Sequence, residues 1–223
     1  MKWFAHWLAI LAGAMRAASG SDIQSLPDGT LLGLENASSV VERMTRGEIG
    51  HVALLFREGS TTWVYEATPA KVRRVSGDAY LQELARLNGS RGKTERMRVW
   101  ALRPTAAYSA EEIGKMRSYL DAQVGRRYSV RNYVRQKPSD GIHCAELAAS
   151  TLNQSGRYAF ADCCKLHPQA LYAALLSEHA APQEIGIPAY EAKETWCARA
   201  QRWWAGRYVW CGWSLREAWL WCW

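Results

Sequence analysis

Between residues 141 and 150 the chain reads Gly141-Ile142-His143-Cys144-Ala145-Glu146-Leu147-Ala148-Ala149-Ser150. Pro138 and Asp140 predict a loop, and the small residues after it predict a helix that continues to about Leu152. Cys144 then falls in the first helical turn, where unpaired backbone N–H groups and the helix dipole favour a thiolate. Because the thiolate is the reactive form, this segment predicts a nucleophilic cysteine. The alternative is a small apolar cysteine packed under the helix.

Two further polar residues lie upstream, in a predicted β-hairpin. Residues 51–56 form an apolar strand, residues 58–60 form a turn, and residues 61–67 return as a second strand. His51 and Glu66 are about equally far from the turn, so we expect them to be near-opposite across the hairpin. A carboxylate beside an imidazole fixes its tautomer, and the imidazole can take the proton of a cysteine. The alternative for His51 is an ordinary core or surface histidine.

The other elements follow from turn signals and apolar spacing. Strands are predicted at about residues 31–34, 71–75 and 97–102. Helices are predicted from Ser38 or Ser39 to Thr45, over residues 78–87, from Ser109 to Gly125, and from Pro168 to Leu176. Residues 19–25 are interpreted as a polar linker, and residues 126–137 as an irregular basic stretch.

The composition describes an ordinary folded protein. The chain has 223 residues, of which 48% are hydrophobic and 22% are charged, which predicts one sizeable domain with some extra residues at the ends. A net charge of +7 favours anionic surfaces or substrates. Basic residues concentrate in residues 86–103 and 126–137, but no nucleic-acid-binding motif accompanies them. We therefore interpret them as solvated surfaces and expect no nucleic-acid partner.

Cysteine and histidine spacing does not favour a metal or another cofactor. Five residues could be considered as zinc ligands, but their spacing matches no ligand pattern: His143, Cys144, Cys163, Cys164 and His167. No metal and no cofactor are therefore expected. Six cysteines are present, and an exported chain could form one or two disulfides among the last five.

Both ends of the chain differ in composition from the middle. Residues 1–18 predict an export signal, because Lys2 precedes an apolar run and Ala12-Gly13-Ala14 offers a cleavage pattern. The protein would then be secreted or periplasmic; the alternative is an N-terminal helix on a cytoplasmic protein. Residues 191–223 hold eight of the twelve tryptophans, interleaved with arginines. This extension suits a membrane interface or an anionic glycan, or else an aromatic flap or a poorly ordered tail.

Six short motifs follow one another along residues 26–175. They are Leu26-Pro27-Asp28-Gly29-Thr30-Leu31-Leu32, Gly50-His51-Val52-Ala53-Leu54-Leu55, Val64-Tyr65-Glu66-Ala67, Gly125-Arg126-Arg127-Tyr128, His143-Cys144-Ala145-Glu146-Leu147 and His167-Pro168-Gln169-Ala170-Leu171. In this order and spacing they resemble the permuted papain-like NlpC/P60 hydrolases of the YiiX/YebB type, which are related to the lecithin:retinol acyltransferase group.

The resemblance implies an α+β fold, a circularly permuted papain-like domain over residues 22–182, in which an antiparallel sheet packs against the cysteine helix. It implies that Cys144 is the nucleophile, His51 the general base and Glu66 the residue that orients the imidazole. The backbone N–H of Cys144 would bind the oxyanion, and Tyr128 would line the substrate cleft. Ala145, where the family often has serine, and Gly50 before the histidine depart from the family pattern and alter the cleft wall.

These observations predict a cysteine hydrolase that cleaves amide or ester bonds through an acyl-enzyme. A cell-wall peptide is the leading substrate if the chain is exported. A lipid acyltransferase or a lipid-amide or lipid-ester hydrolase is the alternative enzyme. A different class is a binding module on a degenerate hydrolase scaffold, attached to a membrane or glycan through residues 191–223.

Overall fold

The computed structural model describes residues 22–135 and 140–190, together with Cys197, Ala200 and Trp204. The predicted export signal and most of the tryptophan-rich extension lie outside the described residues. None of the helices that are described is both long and apolar enough to cross a bilayer.

Within residues 22–135 and 140–190, six strands form one antiparallel sheet. They are β1 (Thr30–Glu35), β2 (Ile49–Glu58), β3 (Thr61–Ala67), β4 (Val72–Ser76), β5 (Arg98–Leu102) and β6 (Gln183–Ile185). Their spatial order is β4-β3-β2-β1-β5-β6, and each neighbouring pair is antiparallel. The same residues form the helices α1 (Ser39–Thr45), α2 (Gly77–Asn88), α3 (Ala110–Gln123), α4 (Arg131–Arg135), α5 (Cys144–Asn153) and α6 (Pro168–Leu175). The fold is therefore α+β, as the resemblance implied.

The sheet separates two apolar layers. On one face, alternate residues of β2 and β3 pack against α3, α5 and α6, with Leu54, Tyr65 and Leu147 among the buried side chains. On the other face, the intervening residues pack against α2, with Leu55 and Leu84 buried there. Strand side chains point alternately to opposite faces, so a strand that is apolar throughout, such as β2, is covered on both sides.

Most of the predicted elements are confirmed within one or two residues. The side chain of Ser109 accepts a hydrogen bond from the backbone N–H of Glu112, whose carboxylate accepts one from the backbone N–H of Ser109. This reciprocal cap starts α3 at the predicted position. Pro168 is the first residue of α6, where its missing N–H costs nothing.

Three segments differ from the sequence-based interpretation. Residues 23–25 form a 3-10 helix rather than a linker, because Ile23 is 1% exposed and anchors the segment in the core. Part of the basic stretch is helical, as α4. β6 carries no long apolar run that would signal a strand, and it pairs with β5 at residues 183–185, just beyond residue 182.

Candidate active site

Cys144 is the first residue of α5, as predicted, and its side chain is buried. His143 caps the N-terminus of this helix: its Nδ1 accepts a hydrogen bond from the backbone N–H of Glu146 at 3.3 Å. The Nε2–H of His143 donates to the carbonyl of Cys164 at 3.2 Å. His143 therefore fixes the start of the helix, and with it the position of the sulfur.

His51 is placed by an irregularity in β2. Leu34 pairs with His51, but the next residue of β1, Glu35, pairs with Ile49, so Gly50 is an extra residue in β2. Such a β-bulge bends the strand and re-aims the neighbouring side chains. His51 keeps 17% side-chain exposure at this end of the sheet, whereas the Glu66 carboxylate behind it keeps 5%.

Glu66 accepts a hydrogen bond from Nε2 of His51, with 2.8 Å between Nε2 and Oε2. The two residues are diagonal neighbours rather than opposite ones. The hairpin loop contains only Gly59 and Ser60, and Leu54 pairs with Tyr65. When this register is extended along the two strands, Glu66 lies two residues from the position that faces His51. Both side chains still lie on one face of the sheet, which is why they meet.

Arg73 completes the environment of Glu66, and sequence reasoning missed it. Arg73 faces Glu66 across β3 and β4, and its Nε and Nη2 donate to Oε1 of Glu66 at 2.8 and 2.6 Å. Its Nη2 also lies 2.9 Å from Glu83 in α2. A signal was present: Glu66 and Arg73 are equally spaced about the turn between β3 and β4, which predicts a cross-strand ion pair.

Cys144 and His51 line the same cavity, and each shifts the pKa of the other through charge and hydrogen bonding. Nε2 of His51 is taken by Glu66, so Nδ1 is the ring nitrogen that remains for the sulfur. Burial alone would lower the pKa of His51, but Cys144 and Glu66 outweigh it and raise that pKa to about 10. Burial alone would raise the pKa of Cys144, but His51 and the backbone N–H groups of Val52 and Ala145 lower it.

These opposite shifts favour a thiolate–imidazolium pair. Burial would also raise the pKa of Glu66, but hydrogen bonding and attraction to His51 and Arg73 lower it, so the carboxylate stays ionised. The site can therefore supply a nucleophilic sulfur and a cationic acid held by a fixed carboxylate. The predicted residues Cys144, His51 and Glu66 are brought together.

A cavity of about 360 Å³ opens at these residues. Tyr128, expected to line a cleft, is in its wall, and an isolated bridge pairs it with Ile142 just before α5. Much of the remaining wall is aliphatic: Leu34, Val41, Leu84, Leu87, Met97, Val130, Val134 and Leu166. The sequence gives no direct signal for this cavity, because its walls come from seven separate segments of the chain.

The residues considered as zinc ligands do not form a metal site in the described part of the chain. No three side chains of His, Cys, Asp or Glu converge there in a suitable arrangement. His143 is occupied by the helix start and by the Cys164 carbonyl. The described cysteines, Cys144, Cys163, Cys164 and Cys197, are free thiols, while Cys211 and Cys222 lie outside the described residues.

Comparison with known proteins gives little beyond this geometry. The chain matches no protein-family model and no curated protein. A solved structure with some likeness is that of the metalloprotein YiiX from Escherichia coli O157:H7, with a TM-score of 0.49 and 12% identity over 74% of this chain and 99% of that one. A likeness this distant assigns neither an activity nor a metal to this chain.

Proposed function

We propose that the protein is a cysteine hydrolase of amide or ester bonds, with a circularly permuted papain-like arrangement and an acyl-enzyme intermediate. The observation that supports it is the 2.8 Å hydrogen bond between His51 and Glu66 in the cavity that Cys144 also lines, where His51 lowers the pKa of Cys144. The order of the elements supports the permuted arrangement, since the histidine strand precedes the cysteine helix.

The proposed reaction has two halves. The thiolate of Cys144 attacks the substrate carbonyl carbon, and the backbone N–H of Cys144, which has no acceptor within the helix, donates to the resulting oxyanion. The imidazolium of His51 gives its proton to the leaving amine or alcohol as the bond to it breaks. Neutral His51 then takes a proton from water, whose oxygen attacks the thioester carbonyl and releases the acid and the thiolate.

Glu66 and Arg73 act on His51 rather than on the substrate. The Glu66 carboxylate holds the imidazole with Nδ1 towards the sulfur and stabilises its positive charge. Arg73 keeps that carboxylate ionised although it is buried, since an unpaired buried charge would be costly.

A first experiment tests the nucleophile on the full chain. Iodoacetamide at pH 6.5, followed by peptide mass spectrometry, should alkylate Cys144 roughly ten times or more faster than Cys163, because an ordinary thiol is about 1% ionised there. His51→Ala should remove this advantage. Cys163 is a matched control, since it is a partly exposed thiol outside the cavity. Alkylation of Cys144 no faster than that of Cys163 would reject the hydrolase.

The aliphatic cavity wall favours a second candidate within the same chemistry, a lipid acyl substrate rather than a cell-wall peptide. Each buried CH₂ contributes about 0.8 kcal/mol, so p-nitrophenyl octanoate should exceed p-nitrophenyl acetate by roughly a hundredfold or more in kcat/KM. Equal values would favour a peptide substrate, the leading expectation for an exported protein. The trapped intermediate, read as an acylated Cys144 peptide, distinguishes either enzyme from a binding module.

Membrane or glycan attachment through residues 191–223 is a separate proposal. It rests on the arginine and tryptophan content of that segment. Cosedimentation with anionic liposomes, lost on deletion of residues 191–223, would support it. Unchanged cosedimentation would reject the membrane attachment without affecting the hydrolase.

A further inference from the structure

The cavity at Cys144 extends into the apolar layer between the sheet and α2. Three of its lining residues, Leu34, Leu84 and Met97, belong to that buried layer. They are part of a continuous group of aliphatic side chains from β1, α1, α2 and the residue before β5. We call this part of the cavity the aliphatic chamber, and its residues are Leu34, Val41, Leu84, Leu87 and Met97.

The aliphatic chamber has a buried end and an open end. Leu34, Leu84 and Met97 are each at most 5% exposed and form the buried end. Leu87 is 46% exposed and lies at the opening. A long apolar group that enters past Leu87 therefore ends against the three buried side chains, which limit the length that the chamber accepts.

The polar side chains beside the chamber are already engaged within the protein. Ser38 and Thr45 are hydrogen-bonded to the backbone of α1, and Arg73 pairs with Glu83. The hydroxyl of Tyr80 is buried, so it does not face the cavity. A polar ligand group placed here would lose its hydrogen bonds with water and gain none. The group that fits the chamber is an aliphatic chain.

The order of bond breaking determines which part of a substrate occupies the chamber. In the proposed reaction the amine or alcohol leaves first, while the acyl group stays bonded to Cys144 until water releases it. A leaving group seated at the buried end would have to pass the bound acyl group on its way out. An acyl chain seated there leaves the open side free for the first product and for water.

We propose that the aliphatic chamber binds the acyl chain of the substrate and that Leu84 limits the length of this chain. The inference deepens the proposed function and rests on it, because the chain is held by the bond to Cys144. Leu84 and Leu87 are three residues apart in α2 and so lie on one face of the helix. A chain that passes Leu87 at the opening next contacts Leu84, which determines specificity without touching the reacting atoms.

The test uses the full chain and p-nitrophenyl esters of the straight-chain acids from acetate to dodecanoate. The value of kcat/KM should rise about fourfold for each added CH₂ until the chain reaches the buried end. Leu84→Ala should move the best chain length about two carbons longer, because it removes three carbon atoms from the end wall. Leu84→Phe should move it about two carbons shorter, because the larger ring fills that space.

Leu55→Ala is the matched control for a lost core side chain. Leu55 is buried in the same apolar layer but does not line the cavity. Leu55→Ala should lower the melting temperature, as Leu84→Ala does, and leave the best chain length unchanged.

A second pair of variants leaves the core intact. Leu87→Asn should lower kcat/KM for the octanoate ester about fourfold or more and leave the acetate ester unchanged, because only the longer chain contacts this side chain. Leu176→Asn is its control, since Leu176 is 44% exposed and lies outside the cavity. It should change neither value. An unchanged best chain length in both Leu84 variants, or equal effects of Leu87→Asn and Leu176→Asn, would overturn the inference.

Failure of the hydrolase proposal looks different. In that case the unsubstituted protein hydrolyses none of the esters, and Cys144 reacts with iodoacetamide no faster than Cys163. Titration calorimetry on the Cys144→Ala protein then tests the chamber without turnover. N-methyloctanamide should bind more tightly than N-methylbutanamide, and Leu87→Asn should reduce this preference. Equal affinities for the two amides would overturn the inference whether or not the protein is a hydrolase.

Discussion

Arg73 donates two hydrogen bonds to one carboxylate oxygen of Glu66, while the other oxygen is left for the imidazole of His51. The carboxylate is therefore held from two sides at fixed geometry. An arginine does this better than a lysine, because its rigid guanidinium directs two donors at one carboxylate oxygen and remains charged at all relevant pH values. This arrangement links the outer strand β4 to the candidate catalytic pair.

Arg73→Gln should destabilise the protein by about 2 kcal/mol, because it leaves a buried carboxylate with one fewer partner. Arg74→Gln is the matched control. Arg74 pairs with Glu58, whose side chain is 51% exposed, so its loss should cost less than about 1 kcal/mol. Urea unfolding at pH 7 measures both. Equal losses of unfolding free energy in the two variants would show that the Arg73–Glu66 pair stabilises the protein no more than an exposed ion pair does.

Glu66→Gln should change the pH dependence of cysteine alkylation. Glu66 raises the pKa of His51, so its neutral replacement lowers that pKa and shifts the pair from thiolate–imidazolium towards thiol–imidazole. The alkylation rate of Cys144 at pH 6.5 should fall roughly tenfold, the effect of about one pKa unit. Above pH 9 the variant should approach the unsubstituted protein, since the thiol ionises there without help. A uniform decrease at all pH values would indicate a collapsed site instead.

Much of this site is local in the sequence, and that part could be predicted. The start of α5 depends on a loop followed by small residues, and the hairpin depends on one glycine-containing turn. Both are set by neighbouring residues, so Cys144, His51 and Glu66 could be placed on their elements. The meeting of the helix with the hairpin rested on the family resemblance, because residue patterns within single elements do not determine their packing.

The parts of the site that sequence analysis missed depend on strand register and on segments that are distant in the chain. A two-residue change of register decides whether His51 and Glu66 are opposite or diagonal, and a one-residue change would put their side chains on different faces of the sheet. The extra residue at Gly50 leaves no distinct signal in an apolar strand. A cavity formed by seven segments of the chain is visible only after they pack.

Gly50→Ala tests the bulge that aims His51. A Cβ at Gly50 would lie 2.6 Å from Oε1 of Glu42 and 3.0 Å from the backbone nitrogen of Ser38, at the start of α1. The Glu42 carboxylate must move aside, and the backbone at Ser38 or at the bulge must shift by a few tenths of an ångström, which should cost about 1 kcal/mol and slow alkylation of Cys144.

Gly114→Ala provides the contrast, because nothing lies within 4 Å of its added Cβ in α3. It should stabilise the protein by about 1 kcal/mol, the helix propensity difference between the two residues. The rate at which Cys144 is alkylated should be the same in Gly114→Ala as in the unsubstituted protein. If Gly50→Ala also leaves both stability and alkylation unchanged, the bulge does not control the position of His51.

His143 should make the protein sensitive to mild acid. Burial lowers the pKa of His143 to about 4, against the opposing effect of the Cys164 carbonyl. The Glu146 carboxylate lies 3.7 Å from Nε2 of His143. The unfolded chain takes up this proton near pH 6.5 and the folded chain does not. Stability is therefore fully present above pH 6.5 and is lost as the pH falls towards 4.

The expected loss from His143 alone is about 2 kcal/mol between pH 7 and pH 5, from urea unfolding at both pH values. His143→Asn keeps a side chain that can accept the hydrogen bond of Glu146 but does not titrate, so it should remove most of this loss. His167→Asn is the matched control, because His167 caps α6 in the same way but is less buried. His167→Asn should therefore still lose most of this stability between pH 7 and pH 5. An unchanged loss in His143→Asn would mean that protonation at the start of α5 does not limit stability in acid.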